Sequence, residues 1–166
     1  MPTPDRVPCS KPMLTLKPLA AANDFAAALA RIPRELLALA AAGPPWTSFI
    51  AFDGEGFAVG TCAFKGAPNR NREVEITYLT FPEHERRGYG TAMARALIEI
   101  AASSGAVDRV VAQTLPEENA SARICRRLGF EFNGAIIDPD DGNVWRWKIK
   151  PRTWREPAID SAVQRP

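Results

Sequence analysis

The stretch of sequence that decides the fold runs from residue 73 to residue 91 and reads EVEITYLTFPEHERRGYGT. Its first nine residues are rich in β-branched and aromatic side chains, which predicts a strand. Pro82 ends this strand, and after a short polar turn the glycines of RGYG introduce a helix. In that helix Met93, Leu97 and Ile100 recur at helical spacing, so one of its faces is predicted to be buried. The stretch therefore predicts a strand that a glycine-rich turn joins to an amphipathic helix.

Outward from this stretch, the chain continues with further strand and helix patterns. Their order is strand, two helices, three strands, helix, strand, helix, two strands, which implies a parallel strand pair with a right-handed crossover. The predicted fold class is α/β, with a mixed, mostly antiparallel central sheet and flanking helices. The predicted strands cover residues 13–16, 47–52, 57–65, 73–81, 109–114, 130–137 and 143–149, and the predicted helices lie within 22–42, split by Pro33, between Gly90 and the C-cap Gly105, and over 116–128, closed by Gly129.

Length and composition limit the number of domains and the classes of partner. The 166 residues suit one domain, and seven of the fifteen prolines lie in residues 1–12 and 151–166. We therefore predict a flexible N-terminal arm, a domain over residues 13–150 and a C-terminal tail that Trp154 could hold down. A formal net charge of +2 is too small to indicate a nucleic-acid partner. Because no apolar run approaches the roughly 20 residues that span a bilayer and no signal peptide is evident, we expect a cytoplasmic protein with no membrane partner.

Cysteine and histidine are too few and too scattered for a metal centre. Cys9, Cys62 and Cys125 form no CxxC pair, and His84 is the only histidine. A triad of serine, histidine and aspartate would have to use His84, and a nucleophile pair of Cys125 and His84 lacks an evident orienting residue. We therefore predict that the protein needs no metal.

The glycine-rich turn has the features of an anion site. Backbone N–H groups at the start of a helix have no intrahelical partner and carry partial positive charge. Gly88 and Gly90 allow a bulky anion to approach the backbone, and Arg86 and Arg87 add charge-assisted hydrogen bonds. A pyrophosphate suits such a site, and a turn that needs its glycines only for geometry is the alternative. No Gly-Lys-Ser/Thr of a P-loop occurs, and Met93 replaces the last glycine of a dinucleotide fingerprint.

Two segments resemble the signatures of the GCN5-related N-acetyltransferases. The first combines VEITYLTFPE at 74–83 with RGYGT at 87–91, and the second combines PEENAS at 116–121 with RLGF at 127–130. The resemblance covers roughly residues 13–149, and it is greatest to the branch that contains the ribosomal-protein N-terminal acetyltransferases. It implies the acyl-coenzyme A N-acyltransferase fold and acetyl-coenzyme A as co-substrate. It also implies transfer of an acetyl group to a primary amine by direct attack in a ternary complex.

The resemblance also implies which residues hold the coenzyme. Backbone amides near Leu79 and Phe81 would contact the pantetheine arm and the thioester oxygen, and Asn119 would bond the same arm, serve as a helix N-cap, or do both. The family pattern has Gln or Arg where this chain has Glu85, whose charge repels a pyrophosphate unless it points away or pairs with Arg86. The implied coenzyme-binding residues are Leu79, Phe81, Arg86, Arg87, Gly88, Tyr89, Gly90, Thr91 and Asn119.

The reaction needs a group that accepts the proton of the amine. Glu75 lies mid-strand among otherwise apolar or uncharged residues, and strand alternation places it on the face of Thr77 and Leu79. In resembling enzymes a glutamate at this place accepts the proton, often through water. In the alternative interpretation, Glu75 is a solvated strand residue that pairs with an arginine such as Arg70 or Arg72.

The reaction also needs a proton donor for the leaving thiolate. Many resembling enzymes have a tyrosine where this chain has Cys125, and in the resembling branch a serine at the position of Ser121 meets the coenzyme sulfur. Ser121 is therefore the second predicted catalytic residue, with bonding to local backbone as the alternative. Cys125 and water stay open as donors, although core packing is the simpler role for a free cysteine.

Some features of the sequence allow several interpretations. The aspartates of residues 138–141 could draw a cationic substrate, but a polar hairpin turn explains them more simply. The arginines of residues 123–127 form a basic helix face that is either solvated or in contact with the 3′-phosphate of the coenzyme. The amine acceptor is open among peptide N-termini, aminoglycosides, polyamines and amino acids, and a homodimer is an open partner. The alternative functions are a non-catalytic acyl-coenzyme A binding or sensing module and a protein-interaction domain.

Overall fold

The structure, a computed structural model, describes residues 11–21, 26–39, 43–151 and 154. Its helices and strands are consistent with the predicted order along these ranges. The strands are β1 (Leu14–Pro18), β2 (Ser48–Asp53), β3 (Ala58–Phe64), β4 (Glu73–Thr80), β5 (Arg109–Thr114), β6 (Glu131–Asp138) and β7 (Gly142–Ile149), and the helices are α1 (Ala26–Leu29), α2 (Arg34–Ala38), α3 (Tyr89–Ser104) and α4 (Ala120–Leu128).

The strands form one sheet in the order β1-β2-β3-β4-β5-β7-β6. Within the described residues, β4 and β5 are the one parallel pair of neighbours, and the other pairs are antiparallel. Helix α3 connects the two parallel strands, as a parallel pair requires. The predicted α/β class with a mixed, mostly antiparallel sheet and flanking helices is confirmed.

Some element boundaries differ from those predicted. The helix predicted over 116–128 begins only at Ala120, because Asn119 is its N-cap and the residues before it form bends. The first strand extends to Pro18, which an edge strand tolerates. Of the helices predicted within 22–42, residues 22–25 and 40–42 lie outside the described part, and Pro33 stands immediately before α2. The predicted C-caps Gly105 and Gly129 are confirmed, with φ of 67° and 87°.

Two apolar layers cover the two faces of the sheet. Helices α3 and α4 pack on one face, where Met93, Leu97 and Leu128 meet strand residues such as Val74 and Phe64. The short helices α1 and α2 cover part of the other face with Ala28, Ile32 and Leu36, which pack against Ile50, Phe52 and Ala63. Both layers contact β2 and β3, and the layer of α3 and α4 also contacts β4 through Val74 and Ile76.

The parallel strands β4 and β5 separate before either of them ends. Their pairing runs only from Glu73 opposite Arg109 to Ile76 opposite Ala112. Beyond that point β4 continues beside β3, whereas β5 continues beside β7. The divergence leaves a gap at the carboxyl ends of the two strands, the place where ligands bind in many α/β sheets.

The ends of the chain fall largely outside the described residues. The predicted arm of residues 1–12 is described only from residue 11, and the predicted tail of residues 151–166 only at 151 and 154. There, the indole N–H of Trp154 donates a hydrogen bond of 2.9 Å to the carbonyl of Leu128. This part of the predicted tail is therefore held against α4. None of the described helices is long and apolar enough to cross a membrane.

Candidate active site

Two cavities meet in the gap between β4 and β5. One, of about 340 Å³, borders the paired part of the strands, and the other, of about 610 Å³, borders the start of α3. We call them the strand cavity and the helix cavity. Tyr78 and Ser121 line both of them. The two cavities thus approach each other at these two side chains.

 A third cavity, of about 630 Å³, lies apart from this gap and is lined by residues such as Phe132, Lys150 and Trp154.

The start of α3 forms one end of the helix cavity. Gly88 precedes the helix with φ of 83°, and Arg86 has φ of 63°, so the turn uses left-handed backbone at both residues. No side chain in the described part of the chain caps the helix. The first N–H groups of α3 therefore remain available to a ligand, together with the partial positive charge of the helix terminus.

Gly90 has a packing role that the sequence did not reveal. A Cβ atom at this position would lie 3.0 Å from Cδ1 of Ile124 and 3.5 Å from Oγ1 of Thr80. The absence of a side chain therefore lets α4 approach β4 and the start of α3. For Gly90, close packing and room for a ligand are compatible explanations, because the residue also lines the helix cavity.

The helix cavity brings together six of the nine residues predicted to bind the coenzyme. Arg87 and Phe81 are not among the residues that line it, and Asn119 lines the strand cavity instead. The side-chain oxygen of Asn119 accepts a hydrogen bond of 2.9 Å from the N–H of Ala122, so its predicted role as N-cap is confirmed. The six that line the helix cavity are Leu79, Arg86, Gly88, Tyr89, Gly90 and Thr91.

The backbone of β4 directs alternate N–H groups to β3 and to the gap. The N–H of Phe81 donates a hydrogen bond of 2.9 Å to the carbonyl of Val59 on the β3 side, and contact of the coenzyme with amides near Leu79 and Phe81 stays a prediction. Successive residues of a strand direct their N–H groups to opposite neighbours. Leu79 therefore also faces β3, with which it is in register at Thr61. The N–H groups of Tyr78 and Thr80 face the gap that β5 leaves.

The basic face of α4 divides between two environments. Arg123 and Arg127 line the helix cavity, where they join Arg86. Arg126 instead lies over the ring of Trp147, 5.3 Å from its centroid, and forms an ion pair of 2.6 Å with Glu118. Two of the three arginines therefore belong to the helix cavity, which the sequence left undecided.

Glu85 also lines the helix cavity and is exposed. Within the residues that the structure describes, it forms no ion pair with Arg86. Three arginines still outnumber this one carboxylate around the cavity, so the surroundings favour an anion.

Glu75 lies in the strand cavity and is already paired. Its Oε1 lies 2.7 Å from Nζ of Lys65, and its Oε2 accepts a hydrogen bond of 3.4 Å from Nε2 of Gln113. Arg72, one of the alternative partners predicted for Glu75, instead forms an ion pair of 3.0 Å with Asp108. The side chain of Glu75 is about three-quarters buried, with 24% of its area exposed.

Further carboxylates surround Lys65. Asp141 lies 3.6 Å from its ammonium, and Asp138 accepts a hydrogen bond of 3.2 Å from Gln113. Burial disfavours the charge of Lys65, but the hydrogen bond to Glu75 and the nearby carboxylates outweigh it and raise the pKa of Lys65. Asp138 also accepts from the N–H groups of Asp140 and Asp141, as expected of a polar hairpin turn. The hairpin turn and an acidic border of the cavity are thus the same structure.

Ser121, Cys125 and Tyr78 form a cluster where the two cavities approach each other. Cys125 and Ser121 lie close enough to the Tyr78 hydroxyl to influence the pKa of the phenol, which burial raises strongly. Burial raises the pKa of Cys125 to about 12, and only 1% of its area is exposed. Its thiol is therefore a core group and a weak source of thiolate nucleophile. Tyr78 was not predicted to belong to the site, because in an alternating strand its ring is indistinguishable from a core residue.

His84 lies beside Tyr89 and Glu83. Its ring centroid is 6.2 Å from that of Tyr89, and its Nε2 lies 3.9 Å from a carboxylate oxygen of Glu83. Among the described residues, no group of three or more His, Cys, Asp and Glu side chains could hold a metal ion. That the protein needs no metal stays a prediction.

Comparison with known proteins gives matches at the levels of family and fold. A family model described as the acetyltransferase (GNAT) domain matches residues 10–131. The uncharacterized N-acetyltransferase YoaA of Bacillus subtilis is 28% identical over 101 residues, which cover 57% of this chain and 56% of YoaA. The uncharacterized N-acetyltransferase YjdG of the same organism is 35% identical over 75 residues, 45% of each chain. The chain thus spans about half the length of the curated relatives it matches.

Solved structures share the fold at low sequence identity. Mutant forms of the spermidine/spermine N-acetyltransferase SpeG from Vibrio cholerae match with a TM-score of 0.57 and 14% identity, over 64% of this chain and 65% of that chain. A GNAT-family acetyltransferase from Bacillus anthracis matches with a TM-score of 0.55 and 21% identity, over 63% of this chain and 66% of that chain. These two likenesses concern the arrangement of strands and helices.

Proposed function

We propose that this chain, which belongs to the GNAT acetyltransferase family, transfers the acetyl group of acetyl-coenzyme A directly to a primary amine in a ternary complex. The single observation that carries the proposal is the pair of cavities that approach each other at Tyr78 and Ser121. One cavity has the basic surroundings that a phosphate-bearing substrate needs, and the other has carboxylates for an amine. Direct attack requires the two substrates to meet, and the gap between β4 and β5 is where they can.

The helix cavity fits the phosphates and the pantetheine arm of acetyl-coenzyme A. The uncapped start of α3 and Arg86 suit the pyrophosphate, and Arg123 and Arg127 suit a further phosphate group. The N–H groups of Tyr78 and Thr80 face the gap and can bond the amide-containing arm. Acetyl-coenzyme A supplies a thioester, whose acyl carbon accepts the amine.

Glu75 is the proposed acceptor of the amine's proton. It lies in the strand cavity, three positions along β4 from Tyr78. An ammonium already lies beside it in the form of Lys65, so the carboxylate is placed to bind a second amine when Lys65 moves or when a water molecule bridges the two. Ser121 is the proposed hydrogen-bond donor to the leaving sulfur, because it borders both cavities.

The acceptor proposed for the strand cavity is a cationic amine. Glu75 and Asp141 line this cavity, and Asp138 accepts a hydrogen bond from Gln113 at its wall, whereas Lys65 is the one cation among the described residues that line it. The Vibrio cholerae protein of similar fold is a spermidine/spermine N-acetyltransferase, and polyamines belong to this charge class. Membership of the ribosomal-protein branch, a homodimer and a cytoplasmic location stay predictions.

A second candidate function is a non-catalytic acyl-coenzyme A binding or sensing module. The observation that favours it is the ion pair between Glu75 and Lys65, which occupies the proposed proton acceptor. Such a module would keep the helix cavity and would not depend on Glu75. Thiol release on a panel of amines separates the two functions, because the module would bind coenzyme A without releasing it.

Thermal unfolding with and without acetyl-coenzyme A tests the proposed site. A ligand that binds only the folded chain raises the unfolding temperature. Gly88→Asp should abolish this rise, because it adds bulk and negative charge at the start of α3. Gly105→Asp is the matched control, since it has a similar positive φ at the opposite end of the same helix. A rise that persists in Gly88→Asp would place the coenzyme elsewhere, and the absence of thiol release on every amine in the panel would contradict the transferase.

A further inference from the structure

Tyr78 is the side chain from the sheet that reaches both cavities. It lines them together with Ser121, which comes from α4 on the opposite side of the gap. The phenol therefore lies at the point where the proposed amine and the proposed thioester meet. This placement follows from the alternation of side chains along β4, because its even-numbered residues face α3 and α4, as Val74 and Ile76 do.

Packing fixes the direction of the Tyr78 ring. The ring is packed against the core that α3 and α4 share with the sheet. A Cβ at Gly90 would lie 3.9 Å from its Cδ2, so the glycine leaves room for the ring beside the start of α3. The side chain is thereby held against α4, beside Ser121, with which it lines both cavities, and against the core cluster that contains Cys125. Ser121 and Cys125 are four positions apart and share one face of the helix.

We infer that Tyr78 is a positioning residue for Ser121, whose hydroxyl it orients toward the sulfur that leaves the acetyl group. The inference rests on the proposed function, since it needs a thioester at the junction of the cavities. The phenol O–H donates to Oγ of Ser121, and the Ser121 O–H is then free to donate to the sulfur. A serine that receives a hydrogen bond is a stronger donor through its own proton.

The transfer balances without a proton taken from either hydroxyl. The bond between the amine nitrogen and the acyl carbon forms, and the bond between that carbon and the sulfur breaks with its electron pair on sulfur. The amine's proton passes to Glu75 or to water, and the departing thiolate takes a proton from solvent. Tyr78 stays a neutral donor throughout, because burial strongly raises the pKa of its phenol.

The test is the pKa of the thiol of bound coenzyme A, followed by the ultraviolet absorbance of the thiolate in difference spectra. The hydrogen bond from Ser121, oriented by Tyr78, favours the thiolate and should lower that pKa by about one unit relative to free coenzyme A. Ser121→Ala should remove the part of the pKa shift that Ser121 and Tyr78 supply together. Tyr78→Phe should remove most of that same part. The double variant should lose no more than Ser121→Ala alone. Arg123 and Arg127 keep their charges in every variant, so their effect on the thiol cancels.

Two further variants keep the inference falsifiable. Cys125→Ala removes the other neighbour of the phenol and should keep the lowered pKa. The chain has two tyrosines, so fluorotyrosine can be incorporated at Tyr78 alone in a Tyr89→Phe background, even if Tyr78→Phe does not fold. The more acidic fluorophenol is a stronger donor and should lower the thiol pKa further.

Four outcomes overturn the inference. They are an unshifted thiol pKa in the wild-type complex, a shift that survives Tyr78→Phe, additive losses in the double variant, and no response to fluorotyrosine. Turnover provides a second readout, because Tyr78→Phe should lower kcat about tenfold or more while KM for acetyl-coenzyme A stays nearly constant. Failure of coenzyme A to bind would defeat the proposed function and the inference together, whereas binding with an unshifted thiol defeats only the inference.

Discussion

The ammonium of Lys65 lies 2.7 Å from Oε1 of Glu75, across the β3–β4 pair. The backbones of the two residues are also joined, because the N–H of Lys65 donates to the carbonyl of Glu75 at 2.8 Å. Lys65 is thus held beside the proposed proton acceptor by both main chain and side chain. Any amine that uses Glu75 must share it with this cation.

Lys65→Met should strengthen the binding of a cationic acceptor. The substitution removes one positive charge from the strand cavity, so the carboxylates of Glu75 and Asp141 lose their ion pairs with Lys65. One charge at a distance of about 4 Å in water is worth about 1 kcal/mol, so KM for the amine should fall about fivefold at low salt. Steady-state kinetics at two ionic strengths measure this. Lys65→Arg is the control that keeps the charge, and a rise of KM in Lys65→Met would show that Lys65 itself contacts the acceptor.

The contribution of Lys65 to stability should depend on pH in the alkaline range. Its pKa is raised in the folded chain above the ordinary value of 10.5, through Glu75 and the nearby aspartates and against the effect of burial. A raised pKa means that the contribution is complete below about 10.5 and is lost as pH rises through the folded value. Denaturant unfolding of wild type and Lys65→Met should therefore differ at pH 8 and converge above that range. A difference that stays constant with pH would mean that Lys65 acts through packing alone.

Gly60→Ala should destabilise the fold by forcing β3 and β4 apart. A Cβ at Gly60 would lie 2.4 Å from the carbonyl oxygen of Leu79 and 3.2 Å from Cα of Thr80. Both are backbone atoms and cannot move alone, so the expected cost is about 1–3 kcal/mol in the free energy of unfolding. Gly54→Ala is the control, because its nearest neighbour would be Cβ of Met13 at 3.4 Å. That control should cost within about 0.5 kcal/mol, and equal losses in the two variants would contradict the argument from crowding.

The sequence predicted what depends on local pattern. Strands, helices and the glycine C-caps follow from periodicity and from conformational preferences, and Asn119 was predicted as an N-cap because its side chain is a good acceptor for helix N–H groups. The direction of the Phe81 N–H could not be predicted in this way. Which amides of β4 face β3 depends on the register of the two strands, and register does not follow from the composition of one strand.

Contacts between distant residues were also beyond the sequence. Lys65 and Glu75 meet because a loop returns the chain into one particular register, and a shift by one residue would place them on opposite faces. Tyr78 meets Ser121 because α4 packs across the gap, which a helical pattern alone does not specify. The sequence therefore proposed Glu75 and Ser121 as site residues but did not predict Lys65 and Tyr78 as their neighbours.

Trp154→Phe should lower stability although residue 154 lies beyond the predicted domain boundary. The substitution keeps most of the ring and removes the hydrogen bond from the indole N–H to the carbonyl of Leu128. That carbonyl lies in the last turn of α4, where no intrahelical donor is available. The expected loss is about 1 kcal/mol, measured by denaturant unfolding. Trp46→Phe is a comparison that trims an indole packed on Phe64 at 5.1 Å between ring centroids. Unchanged stability of Trp154→Phe would show that residue 154 belongs to the tail and does not stabilise the domain.

The role of Glu75 in proton acceptance can be isolated by Glu75→Gln. Glutamine has nearly the size of glutamate, and its one carbonyl oxygen still accepts from Lys65 or from Gln113, so the fold and coenzyme binding should persist. Loss of a general base typically lowers the rate by about 10²–10⁴. Thermal unfolding with acetyl-coenzyme A is the control for both, since an intact variant should show the wild-type rise in unfolding temperature.

The dependence on pH distinguishes Glu75 from Ser121. At high pH more of the substrate arrives as the free amine and needs no base, so the deficit of Glu75→Gln should shrink. Ser121→Ala should slow turnover without that recovery, because Ser121 acts on the leaving sulfur and its effect does not depend on the protonation state of the amine. Turnover of both variants against pH, on an acceptor found in the amine panel, measures the difference. Wild-type rates in Glu75→Gln across the whole range would make Glu75 a structural partner of Lys65, and the amine would then lose its proton to water.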